Sequence, residues 1–258
     1  MKKISRSLIL LMLCLLFSAC LISSSPEDKA QPRLTMFIGV DISGSFLRSK
    51  YFDDSLSFLA NYIYCHLRGL GDLDIPKELY VGSIGGATPN EPKTFFPIQT
   101  FENKSPTDIL RILHELFPKS RENPFTDFNA FFRQIATTVK NKRLILKPLS
   151  IVMISDGTPD MQGNKGGDKF RSIQTEPLEL LSRNITLRLL YTSAVTGNNW
   201  QTKVPRKRVK IWTQDAIVMV KWKDPGTFNP NEAFEKQSKL LNWIKENIDF
   251  SVPAKRVD

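Results

Sequence analysis

The sequence predicts an α/β fold in which an open sheet carries helices on both faces. Apolar runs rich in β-branched residues alternate along the chain with segments whose apolar residues recur at helical intervals. The run at 149–154 is mostly apolar, which is typical of a parallel strand buried on both faces. With 258 residues, 41% of them hydrophobic, the chain is long enough to form a sizeable core as one domain.

The elements follow in a regular order. Strands are predicted over 34–42, 79–84, 94–100, 149–154, 185–192 and within 209–223, and helices over 46–67, 105–116, 127–140, 177–183 and 231–248. Gly69 and Gly71 end the first helix. Ser105 and Pro106 supply an N-cap and a proline at the first helical position for the second. Pro97 restricts the third strand to a sheet edge or a bulge.

The first nineteen residues have the composition of a signal peptide. Lys2, Lys3 and Arg6 precede an apolar run from Leu8 to Phe17. This run is about half as long as the ~20 apolar residues that a membrane-spanning helix needs. We therefore expect residues 1–19 to be removed rather than to anchor the protein.

The segment Leu16-Phe17-Ser18-Ala19-Cys20 resembles the lipobox at which bacterial lipoproteins are cleaved before their new amino-terminal cysteine is acylated. Ser18 and Ala19 have the small side chains that the family shows, whereas Phe17 stands where Leu is usual. The resemblance implies a lipid on Cys20, and the alternative is an ordinary cleaved secretory signal. Residues 20–32 then form a tether with Ser23, Ser24 and Ser25, residues 33–250 the folded domain, and residues 251–258 a carboxyl-terminal tail.

A lipid on Cys20 places the protein in the bacterial cell envelope. Leu21 follows the cysteine at the position where Asp is the usual signal for retention in the inner membrane. In a cell with two membranes we therefore expect the outer membrane. Cys14 leaves with the signal peptide and Cys20 is consumed by lipid, so Cys65 alone remains and no intrachain disulfide can form in the domain.

The chain is basic, with 36 Lys and Arg against 26 Asp and Glu and a formal net charge of +10. Outside the cytoplasm such a charge suits anionic envelope polymers, lipid head groups or acidic protein surfaces, and nucleic acid is not an expected partner. The densest basic cluster is a candidate partner contact, the alternative being a solvated loop and edge strand. It consists of Lys203, Arg206, Lys207, Arg208 and Lys210.

Polar residues that could hold a metal come directly after the first predicted strand. In Asp41-Ile42-Ser43-Gly44-Ser45, strand alternation would point the three polar side chains the same way. They would meet at the carboxyl edge of the sheet, where open α/β folds bind ligands. Carboxylate and hydroxyl oxygens suit Mg²⁺, Mn²⁺ or Ca²⁺ rather than zinc.

Two later segments complete a recognisable pattern. Thr126 lies in Asn-Pro-Phe-Thr-Asp just before a predicted helix, and Asp156 lies in Ile-Ser-Asp-Gly at the end of a predicted strand. With the first motif they resemble the metal-ion-dependent adhesion site of von Willebrand factor type A domains, over roughly residues 33 to 250. The basic segment 194–222 departs from the family pattern.

The resemblance implies a mostly parallel sheet with one antiparallel edge strand and a divalent cation, Mg²⁺ first. Ser43, Ser45 and Thr126 would ligate the cation, with Asp41 and Asp156 in contact directly or through water. Two carboxylates leave such a cation attractive to a third, so a protein partner offering an Asp or Glu would complete the coordination. We expect a binding protein in adhesion or envelope assembly, not an enzyme.

Three alternatives stay open. The two aspartates could cap neighbouring helices while the hydroxyl groups satisfy loop amides. The metal could serve only the stability of a structural envelope lipoprotein. A hydrolase of the haloacid dehalogenase kind is the third alternative, although that chemistry needs a carboxylate two residues after the nucleophile, where this chain has Ser43.

Overall fold

The computed structural model describes residues 32–86, 94–160 and 168–251. The predicted signal peptide, Cys20, nearly all of the tether and residues 252–258 of the tail lie outside this part of the chain. Within the part that is described, no helix is long and apolar enough to cross a membrane.

The centre of the protein is a six-stranded sheet in the order β3-β2-β1-β4-β5-β6. Its strands are β1 (Leu34–Asp41), β2 (Pro76–Ile84), β3 (Phe96–Pro97), β4 (Leu149–Ile154), β5 (Ile185–Thr192) and β6 (Val209–Asp215). Every neighbouring pair is parallel except β2 with β3, which is antiparallel. The predicted fold class is confirmed, including the single antiparallel strand at one edge. The five parallel strands begin along one side of the sheet, the starting edge, and end along the other, the carboxyl edge.

Helices cover both faces of the sheet. They are α1 (Gly44–Leu47), α2 (Phe52–Arg68), α3 (Pro106–Leu116), α4 (Phe128–Asn141), α5 (Glu176–Glu179), α6 (Ala194–Lys203), α7 (Ala216–Met219) and α8 (Ser238–Asn247). Short 3₁₀ turns lie at Leu70–Asp72, Ile98–Thr100, Val220–Lys223 and Phe234–Lys236.

Two hydrophobic cores separate the helices into two groups. Alternation along β1 sends Met36, Ile38 and Val40 into a core with α2, α3 and α8, and sends Phe37 into a second core with α4, α5 and α6. All elements of both cores belong to the compact unit that begins at Pro32. The chain from Pro32 onward therefore contains all the residues that form the two hydrophobic cores.

Some element boundaries differ from the prediction. The first helical pattern belongs to two helices, α1 and α2, because the chain turns between Arg48 and Tyr51. The third strand keeps only Phe96–Pro97, after which a 3₁₀ turn starts at Ile98. The helix predicted over 177–183 is only the single turn α5, which ends at Glu179.

The last helix begins at Ser238 instead of Asn231. The buried Gln237 side chain explains this late start, because its amide accepts a hydrogen bond from Asn229 N (3.1 Å) and donates one to Glu232 O (3.0 Å). These bonds hold the preceding residues in a loop. Helix α6, in contrast, was not predicted at all.

Candidate metal centre

Asp41 and Asp156 meet where the topology of the sheet reverses. Chain connections run outward from β1 to β2 on one side and through β4 to β5 on the other, so the ends of β1 and β4 flank the switch point of the sheet. Asp41 is the last residue of β1, and Asp156 lies two residues after β4. Ligands of open α/β sheets bind in the crevice at this position.

The Asp41 carboxylate is fully buried. Its Oδ1 accepts a hydrogen bond from Ser43 N (2.8 Å), and its Oδ2 accepts one from Ser155 Oγ (2.5 Å). Burial raises the pKa of Asp41 to about 6, against the lowering effect of the hydrogen bonds from Ser155 and Ser43, while the nearby Asp156 raises it further. A cation beside this carboxylate would favour its charged form.

Ser43 and Ser45 present their hydroxyl groups together, with the two Oγ atoms 3.3 Å apart. The reason differs from the one predicted, because strand alternation ends at Asp41. Ser43 is extended (φ −68°, ψ 155°) and forms the N-cap position of α1, whereas Ser45 lies inside that helical turn. The turn, not the strand, brings Ser45 beside Ser43.

Thr126 lies in a loop that runs along the carboxyl edge and pairs with residues that follow β1, β2 and β4. Asn123 N donates to Ile42 O (2.9 Å), which ties the loop to the residue after Asp41. Thr126 exchanges two backbone hydrogen bonds with Asp160, at 3.1 Å and 3.3 Å. The loop from Asn123 to buried Thr126 therefore links the segment of Ser43 to Asp160, four residues after Asp156.

Asp156 is positioned by the turn that follows β4. Its Oδ1 accepts from Thr158 N (2.9 Å), and Gly157 adopts a positive φ of 76° that favours glycine. Ser155 Oγ accepts from Gly157 N (2.9 Å), and Trp200 Nε1 donates to Gly157 O (2.7 Å). Ser155 and the buried Trp200 thus hold the turn that carries Asp156. Neither residue was predicted from the sequence to have this role. Only the position of Ser155 next to Asp156 could have indicated it.

The donor set fits a hard divalent cation. Its members are carboxylate and hydroxyl oxygens, which Mg²⁺, Mn²⁺ and Ca²⁺ prefer. Among the described residues, no group of three or more His, Cys, Asp or Glu is placed to hold a metal ion. The bonds of Asp41 to Ser43 N and of Asp156 to Thr158 N are not helix caps, because Ser43 precedes the first residue of α1 and Thr158 lies in no helix. The hydroxyl groups of Ser43 and Ser45 face each other.

The basic cluster lies away from this site, at and around the starting edge, because it precedes and begins β6. Lys203 pairs with Asp168 (3.2 Å), and Arg206 turns inward to donate to Val204 O (3.2 Å). Lys207 and Arg208 are exposed, and Lys210 lines a cavity of about 470 Å³. The structure therefore brings the five predicted metal ligands to one edge and separates the basic cluster from them.

No protein-family model matches the sequence, and a search of curated protein sequences finds no match. Solved structures with a similar fold include a mussel byssus protein, a Plasmodium protein and a bacterial pilus adhesin. Proximal thread matrix protein 1 from the mussel byssus is 12% identical, with a TM-score of 0.47 over 82% of this chain and 47% of that one. It has also been solved with zinc in its MIDAS motif.

Manganese-loaded TRAP protein of Plasmodium vivax is 15% identical, with a TM-score of 0.46 over 75% of this chain and 73% of that one. The pilus adhesin SpaC of Lactobacillus rhamnosus GG is 11% identical, with a TM-score of 0.46 over 84% of this chain and 31% of that one. The chain thus spans about half of the mussel protein and about a third of the adhesin. At these scores the likeness carries no functional argument, and the fold rests on strand order and register.

We predict that Gly85→Ala weakens metal binding without changing a ligand. Gly85 has a positive φ of 83°, and a Cβ there would collide with Phe125 O in the loop that carries Thr126. The strained backbone and displaced loop should lower the free energy of unfolding by about 2–4 kcal/mol. Urea denaturation and calorimetric metal titration measure the two effects.

Gly226→Ala is the matched control, because a Cβ at Gly226 would meet nothing within 4 Å. It should change the free energy of unfolding by no more than about 0.5 kcal/mol. Unchanged metal affinity in a folded Gly85→Ala variant would contradict the placement of Thr126 at the site.

Proposed function

We propose that this protein is a lipid-anchored protein of the bacterial envelope that binds a protein partner through a divalent cation at the carboxyl edge. The observation that carries the proposal is that three separate chain segments, which together contain five oxygen-bearing residues, lie along the carboxyl edge at the switch point of the sheet. The five residues are Asp41, Ser43, Ser45, Thr126 and Asp156. Mg²⁺ is the cation proposed first, with Mn²⁺ or Ca²⁺ as substitutes.

The arrangement would hold the cation mainly by neutral oxygens. Ser155 and Ser43 already hydrogen-bond the Asp41 carboxylate from two sides, which keeps it deep in the site. Asp156 is half-exposed and Ser45 is exposed, so both lie toward solvent. A cation bound there would act as a Lewis acid with residual positive charge, to which an Asp or Glu carboxylate of a partner can bind.

Apolar side chains at the same edge would add contact area. Val195 follows β5 and is 73% exposed, and Ile217 follows β6 and is 67% exposed. Both therefore lie beyond the carboxyl ends of their strands, as Asp156 does. Exposed apolar residues beside a charged centre are typical of a protein-binding surface.

The burial of Asp41 argues against hydrolysis by an aspartate nucleophile. Its side chain has no exposed surface and accepts hydrogen bonds at both oxygens, so a substrate could not reach it. If the metal serves only the stability of the protein, the site is the same but no carboxylate of a partner binds the cation. Experiments on the partner therefore discriminate between a structural metal and partner binding.

We predict that the protein binds Mg²⁺, Mn²⁺ or Ca²⁺ and that Asp156→Ala lowers the affinity by about 100-fold or more, because a charged ligand is lost. Isothermal titration calorimetry on the chain from Pro32 measures this. Asp224→Ala, which removes an exposed carboxylate elsewhere, should leave the affinity unchanged. Absence of binding in a folded wild-type chain would refute the metal site.

We predict that partner capture from envelope extracts depends on the cation. Immobilised wild-type protein should capture its partner in Mg²⁺ and release it in a chelator, and Asp41→Ala should capture little in either condition, because the coordination of the partner carboxylate is lost. A pulldown with quantitative mass spectrometry measures the bound fraction. Capture that ignores both the chelator and Asp41→Ala would rule out the carboxylate mechanism.

The proposed anchor has a separate test. In bacterial cells fed labelled palmitate, we expect the label to appear in the wild-type protein and to be absent from Cys20→Ser, because the acyl chains would be attached at Cys20. Cys65→Ser is the matched control, since Cys65 is buried and should play no part in acylation. Equal labelling of both variants, or none in the wild type, would refute the lipid at Cys20.

A further inference from the structure

Three loops lie side by side along the starting edge of the sheet. Leu149, Ile185 and Val209 occupy one row of the sheet register, so the loops that precede β4, β5 and β6 are neighbours. Leu146 N donates to Leu181 O (2.7 Å), and Leu149 N donates to Asn184 O (2.9 Å). We call residues 142–148, 180–184 and 203–208 the starting-edge loops.

The starting-edge loops are strongly basic and contain no acidic residue. Their basic residues are Lys142, Arg143, Lys147, Arg183, Lys203, Arg206, Lys207 and Arg208. The Glu179 carboxylate accepts hydrogen bonds from the backbone of Lys207 (2.8 Å) and Arg208 (2.6 Å), so the position of these two residues is fixed. Their side chains point positive charge into solvent, since both residues are exposed.

Large apolar side chains stand among these charges. Leu180 is 78% exposed, Leu146 is 77% exposed and Ile145 is 46% exposed. Leu146 also adopts a positive φ of 71°, an unfavourable conformation for a bulky residue. A strained backbone that holds a leucine in solvent indicates a surface selected for contact rather than for stability.

Exposed leucines within a basic surface match the interface of an anionic lipid bilayer. Basic side chains are attracted to the negative surface potential, and apolar side chains insert between the head groups. The loop before β2 carries Asp72 and Asp74 instead, so this surface is confined to the half of the edge formed by β4, β5 and β6.

The entry of the chain agrees with a lipid partner. β1 begins at the starting edge, so Pro32 and the exposed Arg33 lie on the same side of the sheet as the starting-edge loops. The segment from Cys20 to Pro32 can span at most about 3.5 Å per residue. A lipid on Cys20 would therefore keep this edge within some tens of ångströms of the bilayer.

We propose that the starting-edge loops dock the domain onto anionic phospholipid, which directs the metal centre at the opposite edge away from the membrane. The biological role of this contact rests on the proposed anchor at Cys20, but the contact itself is a property of the folded domain. It assigns a lipid partner to the basic cluster, which lies away from the metal centre.

Vesicle binding of the chain from Pro32, which carries no acyl group, tests the proposal. We expect this chain to bind vesicles of phosphatidylcholine with about one-third phosphatidylglycerol, and to bind them about tenfold more tightly than vesicles of pure phosphatidylcholine. Added salt should release the protein from the anionic vesicles. The double variants Lys207→Glu/Arg208→Glu and Leu146→Ser/Leu180→Ser should each lose about tenfold in affinity. All four side chains are exposed, so both variants should fold, and circular dichroism checks this.

Lys221→Glu/Lys239→Glu is the matched control, because it makes the same charge change at two exposed lysines that lie outside the starting edge. It should keep its affinity within about threefold. An equal loss in this control, or equal binding to both kinds of vesicle, would overturn the proposal. So would binding to polyglutamate without binding to anionic vesicles, which would assign the surface to an acidic polypeptide.

These outcomes are distinguishable from failure of the proposed function. The chain used in the vesicle experiment carries no acyl group, and none of its variants changes a proposed metal ligand. Failed palmitate labelling or metal titration would leave the vesicle result standing, and failed vesicle binding would leave those two results standing.

Discussion

The buried hydrogen bond between Asp41 and Ser155 is the interaction on which the carboxyl edge depends. It joins the end of β1 to the end of β4 with an Oγ–Oδ2 distance of 2.5 Å. The two strands are paired in register up to Val40 and Ile154, so both side chains emerge at the same level. A buried carboxylate is costly unless its oxygens are hydrogen-bonded. The turn of Ser43 bonds Asp41 directly, and the turn of Gly157 bonds Ser155, which in turn donates to Asp41.

The parts of the fold that depend on periodicity could be predicted from the sequence. The strands at 149–154 and 185–192 have the predicted bounds, because both segments are rich in apolar residues and are flanked by turn residues. The order of the candidate ligand segments was also accessible. The placement of Ser45 and Thr126 at the carboxyl edge could not be predicted, because it depends on a helical turn and on long-range bonds such as that from Asn123 N to Ile42 O.

Helix α6 shows why some elements escape a pattern-based prediction. Its sequence, Ala-Val-Thr-Gly-Asn-Asn-Trp-Gln-Thr-Lys, has only two buried positions, Gly197 and Trp200. Its stability comes instead from the Ser193 side chain, which accepts from Thr196 N (3.1 Å), and from Trp200 packed edge-on against Phe128 with ring centroids 4.8 Å apart. Capping and tertiary packing therefore override weak amphipathicity. The same tryptophan bonds Gly157, so an unpredicted helix supports the predicted site.

The last helix is held at its carboxyl-terminal end by a buried polar cluster. Asp249, two residues after α8, accepts hydrogen bonds from Tyr62 (2.9 Å) and His66 (3.0 Å). Burial alone would lower the pKa of His66, but the charge and hydrogen bond of Asp249 and a bond to Asp74 O raise it, which favours the charged imidazole. Arg188 holds the same segment through Ile248 O (2.6 Å) and Phe250 O (3.2 Å). Displacement of α8 along its axis would break these bonds and leave buried charges unpaired, at a cost of several kcal/mol. The carboxyl-terminal end of α8 is therefore held at the starting edge of the sheet, beside Leu34 and Leu149.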